Sequence, residues 1–134
     1  MKRVLVAYAA ALVVMLGLDL AWLGVFARKL YADEIGSLLL ARPMLAPAVL
    51  FYVIYAAGVV LFVVRPAVER GRWVRAAGMG ALFGVVAYAT YDLTSLATLK
   101  GFSAKLAAVD MAWGAVITAA SASAGYFAAK ALKA

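Results

Sequence analysis

A chain of 134 residues that is 69% hydrophobic, with a mean hydropathy of +1.02, far exceeds the roughly 45 to 50% apolar content of a soluble domain and is excluded from folding as an ordinary globule in water. The absence of both cysteine and histidine removes disulfides, thiolate and imidazole metal sites and the usual general base near neutral pH, so no cofactor and no metal are expected, and proton chemistry falls to carboxylates, lysines and tyrosines. Thirteen Lys+Arg against six Asp+Glu give a formal charge of +7, but the cations stand at the ends of apolar runs, where they orient spans and touch anionic headgroups; no nucleic-acid partner is expected.

The first apolar run extends from about Val4 to Ala27. It is too long for a typical signal core and carries Asp19 and Trp22 without a clear small-residue cleavage site, so it reads as a retained span. Arg28-Lys29 and Asp33-Glu34 close it, and Tyr31 to Arg42, charged at one end and apolar at Leu38-Leu39-Leu40, reads as a short interfacial helix or an ordinary loop. Pro43 and Pro47 bracket the start of the second run, Leu45 to Val64, where a helix's first turn has no use for the missing amide. Arg65-Pro66 through Arg75 interrupts the pattern, the third run is Trp73 to Thr98, and Lys100-Gly101 separates it from the fourth, Ala104 to Ala129. The expected fold is all-α: one integral membrane four-helix bundle with spans at about 4–27, 45–64, 73–98 and 104–129.

Orientation follows from the cations. Lys2, Arg3, Arg65, Arg70, Arg72, Arg75, Lys130 and Lys133 fall on one side, while Arg28, Lys29, Arg42, Lys100 and Lys105 fall on the other. The positive-inside rule therefore places both termini in the cytoplasm.

An ionisable group at membrane depth costs roughly 2.5 to 3.5 kcal/mol on insertion scales, so Asp19, Asp92 and Asp110 each call for a partner, a cavity or a task. Counted at about 1.5 Å per residue, all three lie about 9 to 12 Å below the outer boundary. The same depth collects Trp22, Tyr91, Thr94, Ser95, Thr98 and Trp113, with Lys100 and Lys105 just above. The opposite half is nearly apolar, which favours a pocket over a continuous channel. Residues four apart share a helix face, so Gly80, Gly84, Tyr88 and Asp92 form one stripe and Asp110, Gly114 and Thr118, continued by Ser121 and Gly125, another. Such small-residue lines are expected helix contacts, turning the aspartates inward, and they permit a homo-oligomer as readily as intramolecular packing. Leu18-Asp19-Leu20-Ala21-Trp22 and Val109-Asp110-Met111-Ala112-Trp113 repeat one pattern on spans of opposite direction. The repeat reads either as the trace of an inverted duplication or as coincidence, and its tryptophans as pocket lining or interfacial anchors.

The stretch Tyr91 to Gly101, followed by Val109-Asp110-Met111-Ala112-Trp113-Gly114, resembles the signature of a bacterial membrane-protein family known as domain of unknown function 2177, and Asp19-Leu20-Ala21-Trp22 resembles its first-helix motif. The likeness covers essentially the whole chain. It implies a four-helix protein of the bacterial inner membrane and strengthens the choice of residues, but it supplies no reaction. Ser95 stands where the family pattern commonly has asparagine, so a role needing a carboxamide does not carry over.

Three functions compete. An outward-facing pocket of Asp19, Trp22, Tyr91, Asp92, Thr94, Ser95, Thr98, Lys100, Asp110 and Trp113 would bind or transport a small amphipathic or cationic ligand or a lipid headgroup. Because desolvation and neighbouring carboxylates favour a neutral carboxyl, proton coupling belongs to that reading. A structural or accessory subunit would instead pair its aspartates with Lys100, Lys105 or backbone amides. A lipid-modifying enzyme would use paired aspartates as base and acid, although no nucleophile elbow, zinc motif or phosphate loop is present.

Overall fold

The computed structural model of the chain describes residues 2–39 and 44–132. Leu40, Arg42, Pro43 and Lys133 lie outside the described residues. Among the described residues four helices are long and apolar enough to cross a membrane: α1 (Lys2–Phe26), α3 (Leu45–Arg70), α4 (Trp73–Thr98) and α5 (Ala104–Ala131). A short helix, α2 (Arg28–Ile35), follows α1 and ends in a 3₁₀ turn at Gly36–Leu38. Large apolar side chains such as Leu20, Phe26, Phe62 and Val86 remain exposed, a surface that acyl chains solvate and water does not.

Two helices depart from the expected pattern. The helix that begins at Leu45 runs beyond Val64, through Arg65-Pro66, to Arg70. Proline inside a helix lacks a donor and crowds the preceding turn. Here the turn before it, Val60–Val64, widens to π-helical geometry, so the helix passes the proline unbroken. It stops at Gly71, whose φ of 65° is left-handed; the Gly71 and Arg72 amides close the helix end on Val68 and Ala67. A second π-helical turn, Trp22–Phe26, ends α1, with the Ala27 amide donating to the Trp22 carbonyl at 2.6 Å.

The central element is α5, buried at intervals from Leu106 to Ala129. It packs along α4 and along α1, and α3 closes against α1 and α5. On α1 the buried positions Ala7, Ala11, Met15 and Asp19 are each four apart, so Asp19 continues the core face and is turned from lipid. The stripes expected from spacing are the contacts: Gly80 and Gly84 of α4 meet Thr118 and Gly114 of α5, while Gly125 meets Val64 and Ala7.

Ser103 starts α5 as an N-cap, its hydroxyl accepting the Leu106 amide at 3.0 Å and donating to Glu34 of α2. Ile35, Phe102, Leu106 and Ala107 pack together beneath, so α2 is fastened over the start of α5. Ser103→Ala is expected to cost about 1 kcal/mol. Amide hydrogen exchange in the first turn of α5 and in α2 should accelerate together; acceleration confined to α5 would show that the Glu34 contact does not hold α2 down.

Candidate functional site

Asp19, Asp92 and Asp110 meet at the end of the bundle opposite the termini, and all three are buried, Asp92 completely. Each is supplied by a helix face that packing turns inward, and each has different company.

Asp19 is fully engaged. One carboxylate oxygen accepts the Tyr52 hydroxyl from α3, and the other accepts the Trp113 indole N–H from α5 at 3.0 Å. The carboxylate therefore ties three spans together. Asp110 accepts the Tyr31 hydroxyl at 2.5 Å, which brings α2 down over the site. Burial first, and then the hydrogen bond and charge of Asp110, push the Tyr31 phenol above its ordinary range, so Tyr31 remains a donor throughout the neutral and mildly alkaline range.

Asp92 is different. Neither of its oxygens receives an N–H or O–H from the described residues, although both are buried. Its close neighbour is the Asp110 carboxyl, near enough to hydrogen-bond if one of the two carries a proton. Two ionised carboxylates are acceptors only and cannot satisfy each other. The pair therefore lacks one donor or one positive centre. Among the described residues no three acidic side chains are grouped so that they could hold a metal ion together.

The two Asp-x-Ala-Trp segments face each other on antiparallel helices. Their indoles stack at 4.5 Å between ring centroids with 7° between the planes. Their polar edges are not equivalent: Trp113 donates to the opposite aspartate, whereas the buried Trp22 N–H has no partner, lying toward the Tyr31 hydroxyl without an aligned hydrogen bond. Among the described residues the site thus holds an unpaired acceptor, the Asp92 carboxyl, and an unpaired donor, the Trp22 indole.

Beside it, Phe51, Ala87, Tyr88, Tyr91 and Asp110 line a recess of about 300 Å³ between α3 and α4. Tyr55 bridges these helices farther in, against Phe83 at 5.6 Å and Tyr88 at 6.3 Å. The recess shares Tyr88 with this aromatic bridge.

The remaining residues anticipated from sequence are spread more widely. Ser95 is buried one turn from Asp92, and Tyr91, 55% exposed, edges the recess against Phe102. Thr94 and Thr98 are exposed and return their hydroxyls to carbonyls of their own helix. Lys100 and Lys105 are exposed, and the hydrogen bonds to Asp19 and Asp110 come from tyrosines and a tryptophan instead. Tyr31, Tyr52 and Phe51 were not anticipated, and Tyr88, expected on the Asp92 stripe as a helix contact, also lines the recess. The available signal was Tyr52, seven residues into its span and hence at the aspartates' depth, where a phenol also needs a partner.

The chain belongs to the family described as Predicted membrane protein (DUF2177), whose sequence model matches residues 4–127. No curated protein and no solved structure matches it.

Proposed function

For this predicted membrane protein we propose a binding or transport role: the site takes a small amphipathic cation, or a lipid headgroup carrying one, that reaches the Asp92–Asp110 pair through the lateral recess. The carrying observation is Asp92, wholly buried with both oxygens unpartnered. A buried carboxyl without donors costs several kcal/mol unless something supplies them. An ammonium supplies both donors and charge, and the surrounding aromatic faces of Tyr88, Tyr91 and Phe51 suit an alkylated cation and its apolar tail. The unpaired Trp22 N–H would receive an acceptor on the same ligand, as a headgroup offers.

A proton satisfies the Asp92–Asp110 pair as an ammonium does, and the two positive centres compete for one place. Ligand arrival would release a proton and departure would take one up, which is the elementary step of proton coupling. With the termini in the cytoplasm, as the distribution of Lys and Arg favours, the site faces the outer side of a bacterial inner membrane.

The structural reading rests on a separate observation. The bonds of Tyr52 and Trp113 to Asp19 cross-link spans and give each of its oxygens a donor. Asp19 is thus assigned to holding the bundle and the Asp92–Asp110 pair to the ligand. Equilibrium binding of tetraphenylphosphonium to detergent-solubilised protein tests the division. Saturable binding that falls about tenfold or more in Asp92→Asn, one lost charge contact in a desolvated site, is expected. Equal binding to wild type and Asp92→Asn would remove the proposal.

A further inference from the structure

At the opposite end of the bundle, α1 and α3 diverge at the surface and leave a groove. Its inner portion, about 200 Å³, is floored by Val4, Ala7, Val60 and Val64 and carries Arg3 and Arg65 at its mouth. A second portion, about 310 Å³, shares Val4 and Val60 and continues along the spans between Leu5, Tyr8, Ala57 and Leu61. The two recesses adjoin at Val4 and Val60, one carrying arginines and the other lined by Leu5, Tyr8, Ala57 and Leu61.

We infer that this groove is a binding site for one anionic phospholipid, its phosphate held between Arg3 and Arg65 and an acyl chain lying along Val4, Val60 and Leu61. Charge complementarity selects the occupant. Among the described residues that line it, Arg3 and Arg65, with Lys130 lining the adjoining recess beside Arg3, are accompanied by a single carboxylate, Glu69. Arg3 is also held in place: its Nε donates to the Ala129 carbonyl at 3.1 Å, which fixes the guanidinium at the end of α5 and leaves its terminal nitrogens to a phosphate. A soluble anion would use the cations and leave the apolar length exposed, and a neutral lipid would fill that length and leave the cations unpaired. An anionic phospholipid satisfies both, as basic pockets at span ends do. This site shares no residue with the acidic cluster, so it stands or falls independently of the proposed cation binding.

Native mass spectrometry of the detergent-extracted full chain, with phosphatidylglycerol or phosphatidylcholine added, tests it. One phosphatidylglycerol retained per chain with about tenfold preference over phosphatidylcholine is expected, and Arg65→Gln should reduce that preference about fivefold, the worth of one interfacial cation. Leu61→Trp, at an exposed position on the groove wall, should lower retention while sparing both arginines. Thermal melts of both variants matching wild type would assign the losses to the site. Equal retention of the two lipids, a preference untouched by Arg65→Gln, or displacement of the lipid by glycerol phosphate alone would overturn the inference.

Discussion

Asp19→Leu is expected to destabilise the bundle by about 2 to 4 kcal/mol, while Asp92→Leu, an identical chemical change at the same depth, leaves stability unchanged or raised. Removing the Asp19 carboxylate strands the Tyr52 hydroxyl and the Trp113 N–H, donors from two other spans that lie away from water. Each orphaned buried donor costs about 1 to 3 kcal/mol, moderated in membranes because the separated helices also find partners. At Asp92 no donor is stranded, because neither oxygen has one. Leucine removes a buried acceptor, a gain that offsets the packing cost of its larger side chain. Asp92→Asn goes further, since its carboxamide offers Asp110 the donor that the pair lacks. Thermal unfolding of purified protein in one detergent reads all three variants. Equal losses from Asp19→Leu and Asp92→Leu would mean that Asp92 also holds the fold together.

Gly84→Ala is expected to prevent α4 from docking on α5, at a cost of about 3 kcal/mol or more. A Cβ at position 84 would stand 2.1 Å from the Gly114 carbonyl oxygen and 2.7 Å from its carbon. Those are backbone atoms within a helix and cannot turn aside as a side chain would. The helices must separate, and in lipid, close van der Waals contact is what holds two helices together. Helix propensity works in the other direction, favouring alanine over glycine by about 1 kcal/mol, and is outweighed. Gly17→Ala is the matched control: nothing lies within 4 Å of its added carbon, so propensity alone acts and stability should stay level or rise. The yield of folded, monodisperse protein and its melting temperature separate the two variants. A Gly84→Ala protein that melts with wild type would show that the α4–α5 contact is looser than this geometry.

Much of this arrangement was legible before the coordinates. Runs of apolar residues gave the spans, and four-residue spacing put Asp92 and Asp110 on faces where glycines mark backbone contact, while Asp19 joins them through the Ala7, Ala11 and Met15 face of α1. Position along each helix needs only counting. Azimuth decided what depth left open. At about 100° per residue, Thr94 and Thr98 stand roughly 160° and 120° around the helix from Asp92, and they point outward, whereas Ser95 stays on the buried side. The tyrosines escaped notice for another reason: in an apolar run a phenol counts as hydrophobic, and its hydroxyl shows its importance only once a carboxylate is opposite it. Tyr31 was further hidden, since a connection between spans reads as surface until α2 folds back over the site. Helix α3 outran its expected end because proline stops a regular helix, and a π-helical turn before it was not visible in the residues.

The central claim is that the Asp92–Asp110 pair needs one positive centre and exchanges a proton for a cation. Proton release on titrating dodecyltrimethylammonium into weakly buffered, detergent-solubilised protein tests it most directly. About one proton per cation bound is expected from wild type, and none from Asp92→Asn, whose carboxamide gives Asp110 the donor that a shared proton supplies in wild type. Binding without proton release, or release that persists undiminished in Asp92→Asn, would contradict the account.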